Sequence, residues 1–591
     1  MTAQTAAPKG VAQKNAGAAR APEVGIALDA VVVGAGFAGM YMLHRLRGLG
    51  LSALAFEAGG GVGGTWYWNR YPGARCDVES MQYSFSFSEE LDQEWTWSEK
   101  YAPQPEILEY ANHIADRFDL RRDIVFDTRV TAATWDETTK TWRIETDRGD
   151  QVTAKFCIMA VGCLSAPNQP QFEGMSDFRG PIYHTGQWPH EGVDFTGLRV
   201  GVIGTGSSAI QSIPIIAKQA SDLTVFQRTA TWSVPAWNQK LSDEYVRKIK
   251  ADYPALRAKA RARPTGFYFP FNMTPALQAS PDEREKNYEE FWERGGLPFL
   301  GAFGDLLFEK DANDTIADFA RRKIRGIVKD PEIADLLCPD NVFGCKRLCV
   351  DTGYFETYNL PHVKLVDVST KPIERFTANG IQVDGVEYPC DAIVTATGFA
   401  AMTGSFDRMK ITGRDGLTLA KKWRAGPRTY LGLTTVGFPN FFMITGPGSP
   451  SVLASMIQAI EQHVDWLADL IGHMRDIGAS AIEPRLEEED AWVEHVNEVS
   501  KVSLRSTCSS WYVGANIPGR PRVFMPYIGG FPIYVQKCNE VMSSGFDGFV
   551  LEDAKASNAP PNVRYTERWR VPLDIEVISP AAIAAKRVPV V

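Results

Sequence analysis

The chain reads Ile26-Ala-Leu-Asp-Ala-Val-Val-Val-Gly34-Ala-Gly36-Phe-Ala-Gly39 early in its sequence. The apolar, β-branched stretch at the start predicts a buried strand of a parallel sheet. Residues 38–49 predict the helix that follows, and residues 51–57 predict a second strand. In such a β-α-β unit the glycines allow a tight turn, a close backbone approach to a pyrophosphate, and close packing of helix on strand. The pattern predicts a dinucleotide-binding unit that uses Gly34, Gly36 and Gly39.

The second strand of this unit ends in an acidic residue, Glu57. A carboxylate accepts hydrogen bonds from ribose hydroxyls, whereas it repels the additional phosphate of NADP. Glu57 therefore indicates a dinucleotide whose ribose carries free hydroxyls and no 2′-phosphate.

A second unit of the same kind begins with Leu198-Arg-Val-Gly-Val-Ile-Gly204-Thr-Gly206-Ser-Ser-Ala209. Residues from 208 onward predict its helix, and residues 222–228 predict its second strand. This strand ends in Gln227-Arg228-Thr229, and a guanidinium beside a hydroxyl suits the 2′-phosphate of NADP. Two units with opposite selectivity predict a flavoprotein that holds FAD and is reduced by NADPH.

The composition is that of an ordinary folded protein. The 591 residues are 44% hydrophobic and 23% charged, and the length predicts about three or four folding units. With 62 Lys and Arg against 71 Asp and Glu, the net charge of -9 provides no attraction to nucleic acid or to an anionic membrane. The longest apolar run, residues 30–43, is too short to cross a bilayer. We therefore expect no nucleic-acid partner and no membrane partner.

The cysteines and histidines exclude two further classes of protein. The nine cysteines are scattered without a C-x-x-C pair, so we expect reduced thiols and a cytoplasmic location. A flavin disulfide reductase needs a cysteine pair after the first glycine motif, but Cys76 is the only cysteine before residue 157. The eight histidines form no ligand motif, so no metal site is predicted. Oxygen remains as the natural electron acceptor.

The predicted fold class is α/β, with two Rossmann-like dinucleotide-binding domains, one for FAD and one for NADP, and a helical insertion. Pro167-Asn-Gln-Pro170 predicts a linker between the domains, and a charged helical pattern after residue 241 predicts the insertion. The predicted order is a flexible N-terminal tail (1–25), the first segment of the FAD-binding domain (26–165), the first segment of the NADP-binding domain (166–240), the helical insertion (241–335), the second segment of the NADP-binding domain (336–389), the second segment of the FAD-binding domain (390–550) and a C-terminal tail (551–591).

Two longer motifs carry a family resemblance. The first is Phe178-Arg-Gly180-Pro-Ile-Tyr-His184-Thr-Gly-Gln-Trp188-Pro189, directly before the second glycine motif. The second is Gly63-Gly64-Thr-Trp66-Tyr-Trp-Asn-Arg-Tyr71-Pro72-Gly73-Ala-Arg-Cys-Asp77. With these motifs the chain resembles the type I Baeyer-Villiger monooxygenases. The resemblance spans about residues 26–550 and continues through Lys346-Arg347, Ala396-Thr-Gly398 and Ser510-Trp511-Tyr-Val-Gly-Ala-Asn516.

The resemblance implies an enzyme that inserts one oxygen atom of O2 next to a ketone carbonyl, giving an ester or lactone through a C4a-peroxyflavin and a Criegee intermediate. It implies that Arg347 is the cation that stabilises the negative charge on the peroxyflavin and on the Criegee intermediate, because arginine keeps its proton at working pH. Asp77 would orient Arg347. Lys346 would join Arg228 on the 2′-phosphate of NADPH, and Trp511 would contact the nicotinamide nucleotide from a loop.

The motifs and the resemblance together define the predicted site. The predicted catalytic residues are Arg347 and Asp77. The predicted cofactor-binding residues are Gly34, Gly36, Gly39, Glu57, Gly64, Thr65, Trp66, Asp77, Tyr83, Gly204, Thr205, Gly206, Ser207, Ser208, Arg228, Thr229, Lys346 and Trp511. The predicted substrate-pocket residues are Ser451, Val452 and Leu453. We interpret His184 and Trp188 as structural or domain-coupling residues, because a single histidine is more often a hydrogen-bonding group than a catalytic base.

Two alternatives stay open at the level of the sequence. One is oxygenation of a sulfide or an amine, which uses the same flavin peroxide in its protonated form; Trp188 together with Arg347 and Asp77 favours the ketone. The other is a redox flavoprotein or uncoupled NADPH oxidase, for which a ketone leaves NADPH consumption unchanged. The expected partners are a ketone and O2, and the expected assembly is a monomer or a weak homo-oligomer.

Overall fold

The computed structural model describes residues 24–555 and 568–569. Residues 1–23 of the predicted N-terminal tail and most of the predicted C-terminal tail lie outside these ranges. The strands are β1 (Val24–Val33), β2 (Ala53–Phe56), β3 (Ile124–Val125), β4 (Val130–Asp136), β5 (Thr141–Thr146), β6 (Gln151–Met159), β7 (Ile182–His184), β8 (Arg199–Ile203), β9 (Asp222–Gln227), β10 (Ser233–Pro235), β11 (Cys349–Asp351), β12 (Val363–Asp367), β13 (Ile373–Phe376), β14 (Gly380–Val383), β15 (Val386–Pro389), β16 (Ala392–Thr395), β17 (Lys410–Thr412), β18 (Phe441–Met443), β19 (Ala481–Pro484) and β20 (Phe549–Glu552). The α-helices are α1 (Phe37–Gly48), α2 (Thr65–Trp68), α3 (Glu89–Glu94), α4 (Gln104–Arg117), α5 (Ser207–Ala217), α6 (Asp243–Arg261), α7 (Pro281–Arg294), α8 (Lys310–Ile327), α9 (Pro331–Leu337), α10 (Tyr354–Thr357), α11 (Gly404–Asp407), α12 (Leu419–Lys422), α13 (Met456–Asp476), α14 (Leu486–Lys501) and α15 (Phe531–Ser543).

The first glycine motif lies in an eight-stranded sheet with the order β17-β4-β5-β6-β1-β2-β3, in which β18 also pairs with β6. β1 runs parallel to β2 and β6, and Val32 lies opposite Ala55 on one side and Ile158 on the other. Residues 30–33 are buried, as the continuous apolar run predicts for a strand covered on both faces. The predicted α/β fold class is confirmed.

The second glycine motif follows β8 in a five-stranded parallel sheet with the order β12-β9-β8-β16-β7. The sequence places the second crossing between the domains at residues 389–390. β16 follows that boundary, yet it pairs with β7 and β8 of the second sheet. The chain therefore re-enters the first sheet only after β16, through β17 and β18.

Helices α6 to α9 lie in the region of the predicted helical insertion. Helices α7 to α9 extend the buried core of the second sheet, whereas Val246 and Tyr253 of α6 pack into the core of the first sheet. Trp292 of α7 and Phe319 of α8 share one buried cluster with Val202 and Val225 of β8 and β9. The outer faces of α7 and α8 carry ion pairs such as Lys323–Glu289, as a solvated charged face predicts. Among residues 24–555 and 568–569, no helix is long and apolar enough to cross a membrane.

Gly39 determines how closely α1 packs on the turn that precedes it. A Cβ atom at Gly39 would lie 1.9 Å from the carbonyl oxygen of Gly34, which is backbone and cannot rotate away. Gly48 lies at the other end of the same helix and has open space at the corresponding position. The third glycine of the motif is therefore required for packing.

Gly39→Ala should destabilise the protein by about 1–3 kcal/mol or more, because the added methyl group overpacks the helix-strand contact. Gly48→Ala is the matched control and should be neutral or stabilising by up to about 1 kcal/mol, since Ala favours helix over Gly. Urea unfolding followed by circular dichroism measures both changes. Equal stability of the two variants would contradict the packing role.

The described residues 568–569 dock against helices of the first domain. Arg568 donates to Asp465 at 2.6 Å and to Glu461 at 2.8 Å, and the indole of Trp569 donates to Asp465 at 2.9 Å. Both carboxylates lie on α13 and are buried. Arg45 of α1 also pairs with Asp465. A buried carboxylate needs a cation or several hydrogen-bond donors. Residues 568–569 supply these to the buried carboxylates of Glu461 and Asp465 on α13.

Arg568→Ala should lower the free energy of unfolding by about 3–5 kcal/mol, because it leaves buried carboxylates without their partner. Arg475→Ala is the control: its exposed side chain, also on α13, donates to the carbonyl of Leu49. Equilibrium urea denaturation of both variants measures the difference. A loss as small as that of the control would show that residues 568–569 do not stabilise the fold.

Cys345 and Cys508 form a disulfide, with their Cα atoms 6.1 Å apart. The expectation that every thiol stays reduced is therefore wrong for this pair. The two residues are separated by 163 positions, so no local spacing pattern marks them. The other seven cysteines are free thiols.

Candidate active site

Both glycine motifs line one large cleft of about 1830 Å³. This volume exceeds the roughly 300–1,000 Å³ of a typical single-ligand site, as expected for two dinucleotides. The predicted site residues that line the cleft are Gly34, Gly36, Glu57, Gly64, Thr65, Trp66, Asp77, Tyr83, Gly204, Thr205, Gly206, Ser207, Ser208, Arg228, Thr229, Lys346, Arg347, Val452 and Trp511. Gly39, Ser451 and Leu453 do not line it.

Glu57 lies buried at the end of β2, beside the start of α1. Its two carboxylate oxygens accept hydrogen bonds from the backbone N–H groups of Ala35 and Gly59, each at 2.7 Å. Burial raises the pKa of Glu57, although these donors oppose the shift. The carboxylate is thus fixed at the edge of the cleft, where its remaining lone pairs can accept further hydrogen bonds.

Two glycines from separate motifs meet at the start of α1. A Cβ atom at Gly64 would lie 2.9 Å from the Cα atom of Gly36, and Gly64 has a left-handed φ of 54°. Beside them the indole of Trp66 donates to the hydroxyl of Tyr83 at 3.0 Å. The close approach keeps side chains away from the helix start and exposes its backbone donors to the cleft.

The second motif forms a similar opening at the start of α5. Gly206 is the N-cap, no side chain caps this helix, and a Cβ atom at Gly206 would meet nothing within 4 Å. The hydroxyl of Thr205 donates to the carbonyl of Thr229 at 2.8 Å, and the hydroxyls of Ser208 and Thr185 lie 3.0 Å apart. Backbone donors at a helix start favour an anionic ligand.

Arg228 and Lys346 bring two positive charges to the same region of the cleft. Burial lowers the pKa of Lys346, and the charge of Arg228 lowers it further. Within residues 24–555 and 568–569, neither side chain forms an ion pair with a carboxylate, although Asp340 acts electrostatically on Lys346. Two adjacent cations without a direct carboxylate partner suit a phosphate.

Arg347 and Asp77 form a bidentate ion pair on the cleft wall. Nε and Nη2 of Arg347 donate to the two carboxylate oxygens of Asp77 at 2.7 and 2.8 Å, and Nη1 donates to the carbonyl of Val452 at 3.0 Å. Burial by itself would lower the pKa of Arg347, but the charge and hydrogen bonds of Asp77 outweigh it and raise this pKa. The guanidinium is therefore a fixed, permanently charged cation.

Two further residues near this cation, Tyr512 and Arg505, are not among the predicted site residues, although Tyr512 lies within the Ser510–Asn516 motif. Burial raises the pKa of Tyr512, while the charges of Arg347 and Arg505 oppose the shift. Burial lowers the pKa of Arg505, and its Nε donates to the carbonyl of Gly344 at 3.1 Å. Tyr512 follows the predicted Trp511 directly, but only the folded chain brings it to Arg347.

The predicted substrate-pocket residues are only partly brought to the cleft. Val452 lines it and also orients Arg347 through its carbonyl. Ser451 is buried, and its hydroxyl points to the sulfur of Met402 at 3.8 Å. Leu453 packs against a buried cluster that includes Val452 and Tyr512. A pocket role for Ser451 and Leu453 stays a prediction.

His184 and Trp188 lie outside the cleft lining. Nδ1 of His184 accepts from the backbone N–H of Gly186 at 2.9 Å, so Nε2 carries the proton and faces the carbonyl of Asn168 and the hydroxyl of Thr397, both at 3.2 Å. These two partners belong to the two segments where the chain crosses between the sheets. Burial lowers the pKa of His184. Trp188 is buried in the core of the second sheet.

Comparison with known proteins gives the family. A family model described as pyridine nucleotide-disulphide oxidoreductase matches residues 31–254. Over 533 residues the chain is 43% identical to a Baeyer-Villiger monooxygenase of Pseudooceanicola batsensis, covering 90% of this chain and 97% of the relative. The chain belongs to the Baeyer-Villiger monooxygenase family. The predicted resemblance is thereby confirmed.

Two further relatives show the breadth of this similarity. A solved structure of an oxidized steroid monooxygenase bound to NADP is 54% identical, with a TM-score of 0.86, and the match covers 89% of this chain and 100% of that one. A phenazine N-monooxygenase of Lysobacter antibioticus is 42% identical over 533 residues, covering 90% of this chain and 98% of the relative.

Among the described residues, no group of three or more His, Cys, Asp or Glu could hold a metal ion.

Arg228→Ala should raise the KM for NADPH at least about tenfold, because a hydrogen bond between charged groups contributes roughly 1.5–3 kcal/mol. The KM for NADH, which lacks the 2′-phosphate, should change little, and kcat at saturating NADPH should be retained. Steady-state kinetics with both nucleotides measure this. Lys364→Ala, which removes an exposed cation paired with Asp222, is the control. An unchanged KM for NADPH would place the phosphate elsewhere.

Proposed function

We propose that this protein is an FAD- and NADPH-dependent Baeyer-Villiger monooxygenase that inserts one oxygen atom of O2 next to the carbonyl of a ketone and releases an ester or lactone. The observation that carries the proposal is the Arg347–Asp77 pair on the wall of the cleft that both glycine motifs line. The pair provides a permanent cation between two dinucleotide sites, where negatively charged oxygen needs stabilisation.

The residues of the cleft fit FAD and NADP. α1 and α5 begin directly after Gly36 and Gly206, and no side chain caps either helix, so backbone donors remain for a pyrophosphate. Glu57 suits the ribose of FAD, and Arg228 with Lys346 suits the 2′-phosphate of NADPH. When bound, FAD accepts a hydride from NADPH and activates O2.

Arg347 stabilises negative charge on oxygen without first having to gain a proton. Its raised pKa keeps it charged at any working pH, and Asp77 holds the planar guanidinium in one orientation. The carbonyl of Val452 accepts a hydrogen bond from Nη1 of Arg347 and restrains the guanidinium further. Because these contacts exist before substrate binds, little reorganisation is needed during the reaction.

The cleft next to this cation offers an apolar surface for the substrate. Phe267, Val452, Met456 and Ile460 belong to its lining. Apolar walls exclude water and leave the carbonyl oxygen as the polar group to be oriented. We infer an apolar ketone as substrate.

Oxygenation at nitrogen or sulfur is the second candidate function. The specific observation in its favour is the 42% identity to a phenazine N-monooxygenase over almost the whole chain. An amine or thioether has no carbonyl oxygen that becomes an anion, so we expect its oxygenation to depend much less on Arg347 than that of a ketone. Dependence of product formation on Arg347 therefore distinguishes the two candidates.

The proposal extends to the assembly and location. Both glycine motifs, Arg347 and Asp77 come from one chain, which supports a monomer or a weak homo-oligomer because no second copy is needed to complete the site. The seven free thiols support a cytoplasmic location.

Arg347→Ala should retain FAD and its reduction by NADPH, while ester formation falls at least about 100-fold, as on removal of a charge-stabilising donor from an active site. Anaerobic reduction by NADPH, followed by air, a ketone panel and mass analysis of the products, measures each step. Arg375→Ala, a partly exposed arginine that pairs with Asp177 and does not line the cleft, is the control. Undiminished ester formation would remove Arg347 from the mechanism.

The same assay on the wild-type protein tests the proposed function itself. Incorporation of one O2-derived oxygen into a ketone, with NADPH consumed in equal amount, is the expected result. If ketones only yield hydrogen peroxide while a thioether or an amine gains oxygen, the second candidate replaces the first. Hydrogen peroxide with every substrate would indicate an uncoupled oxidase.

A further inference from the structure

The disulfide joins the two chain segments that carry the cations and the aromatic residue of the nucleotide site. Cys345 directly precedes Lys346 and Arg347. Cys508 lies in residues 503–518, which we call the Trp511 loop and which line the cleft through positions 507–511. The bridge therefore ties the Trp511 loop to the segment that carries the catalytic cation.

Apart from the disulfide, the Trp511 loop is held at its two ends, by a hydrogen bond from Arg505 to the carbonyl of Gly344, and by the buried side chains of Tyr512 and Val513. The loop contains two short 3-10 turns, at Leu504–Thr507 and Trp511–Val513, and no longer helix or strand. Hydrogen bonds attach its two ends to neighbouring segments: Leu504 donates to the carbonyl of Leu307, and Asn516 donates to the carbonyl of Phe399. Residues 506–510 make mainly local hydrogen bonds, so the crosslink at Cys508 contributes to the position of this part of the loop.

Small molecules can approach the disulfide from the Cys508 side. Cys345 is buried, whereas Cys508 is partly exposed and lines both the main cleft and a second pocket of about 870 Å³. Attack at the sulfur of Cys508 expels the thiolate of Cys345.

We propose that Cys345 and Cys508 are a reversible thiol–disulfide switch that controls the mobility of the Trp511 loop and so the rate at which nicotinamide nucleotide enters and leaves. The consequence for nucleotide exchange rests on the proposed function, because it requires NADP(H) in the cleft. In the oxidised form, which we call closed, the disulfide holds the loop beside Lys346 and Arg347. In the reduced form, which we call open, the loop is released and nucleotide exchange is faster.

Each direction of the switch balances with a small-molecule partner. A thiol such as glutathione attacks Cys508 and forms a mixed disulfide while Cys345 leaves as the thiolate; a second thiol then frees Cys508, so two thiols become one disulfide. Closure proceeds by the reverse exchange with a small-molecule disulfide. Hydrogen peroxide also closes it, by oxidising one thiol to a sulfenic acid from which the second thiol displaces water.

Thiol counting on the complete protein tests whether the pair forms. After treatment with oxidised glutathione, unfolding and alkylation should label seven thiols, and after dithiothreitol all nine cysteines. Peptide mapping should find Cys345 linked to Cys508. Nine labelled thiols under both conditions, or a different pairing, would overturn the proposal.

Two kinetic measurements test what the switch does. Limited trypsin cleavage after Arg505 reports loop mobility without any nucleotide, and it should be several-fold faster for the reduced protein. Stopped-flow tryptophan fluorescence reports NADP⁺ dissociation, which should also be several-fold faster after reduction. Cys508→Ser should give the fast rates under both conditions. Cys338→Ser, which removes a partly buried free thiol, should behave like the wild type.

The outcomes separate the two proposals about this protein. Equal cleavage rates for oxidised and reduced wild type would overturn the switch, whatever the substrate of the enzyme is. A redox-dependent cleavage rate in a protein that forms no ester would leave the switch intact and contradict only the Baeyer-Villiger function.

Discussion

The ion pair between Arg347 and Asp77 is the interaction around which the site is arranged. Its partners are 270 positions apart, Asp77 after the first nucleotide unit and Arg347 just before β11, so it forms only when both regions of the chain are folded and docked. A buried arginine without a partner is costly, and a carboxylate that neutralises it in a bidentate geometry removes that cost. The pair thus joins two distant regions of the chain and places a permanent cation on the wall of the cleft. The glycine turns, Glu57, Arg228 and Lys346 line the same cleft as this pair.

Local patterns predict the regions of this protein that local forces determine. The apolar runs before Gly34 and Gly204 give the strands β1 and β8, because a strand buried on both faces needs a continuous apolar sequence. Features that depend on distant contacts carry no such signal. The placement of β16 in the second sheet depends on pairing with β7 and β8, and the Cys345–Cys508 bridge joins segments without any spacing motif. The resemblance indicates Arg347, whereas Tyr512 and Arg505 become visible only through the electrostatics of the folded site.

The relatives of this chain show that one architecture accompanies more than one oxygenation. A steroid monooxygenase and a phenazine N-monooxygenase are both similar to it over about nine-tenths of its length. The glycine turns and parallel sheets bind dinucleotides in the same way whatever the acceptor is, because they contact phosphate and ribose. The choice of acceptor therefore depends on side chains outside these shared elements. Fold similarity alone does not determine it.

His184 links the two places where the chain passes between the sheets. It hydrogen bonds to Asn168 on the first crossing and to Thr397 on the second, so the two crossings lie side by side at one point. A domain held by two adjacent connections can pivot about them but cannot move away as a whole. Since burial lowers the pKa of His184, the imidazole stays neutral at physiological pH. Any rotation of one domain against the other would therefore occur about an axis close to His184. A fall in pH within the neutral range would leave His184 uncharged and its two hydrogen bonds intact.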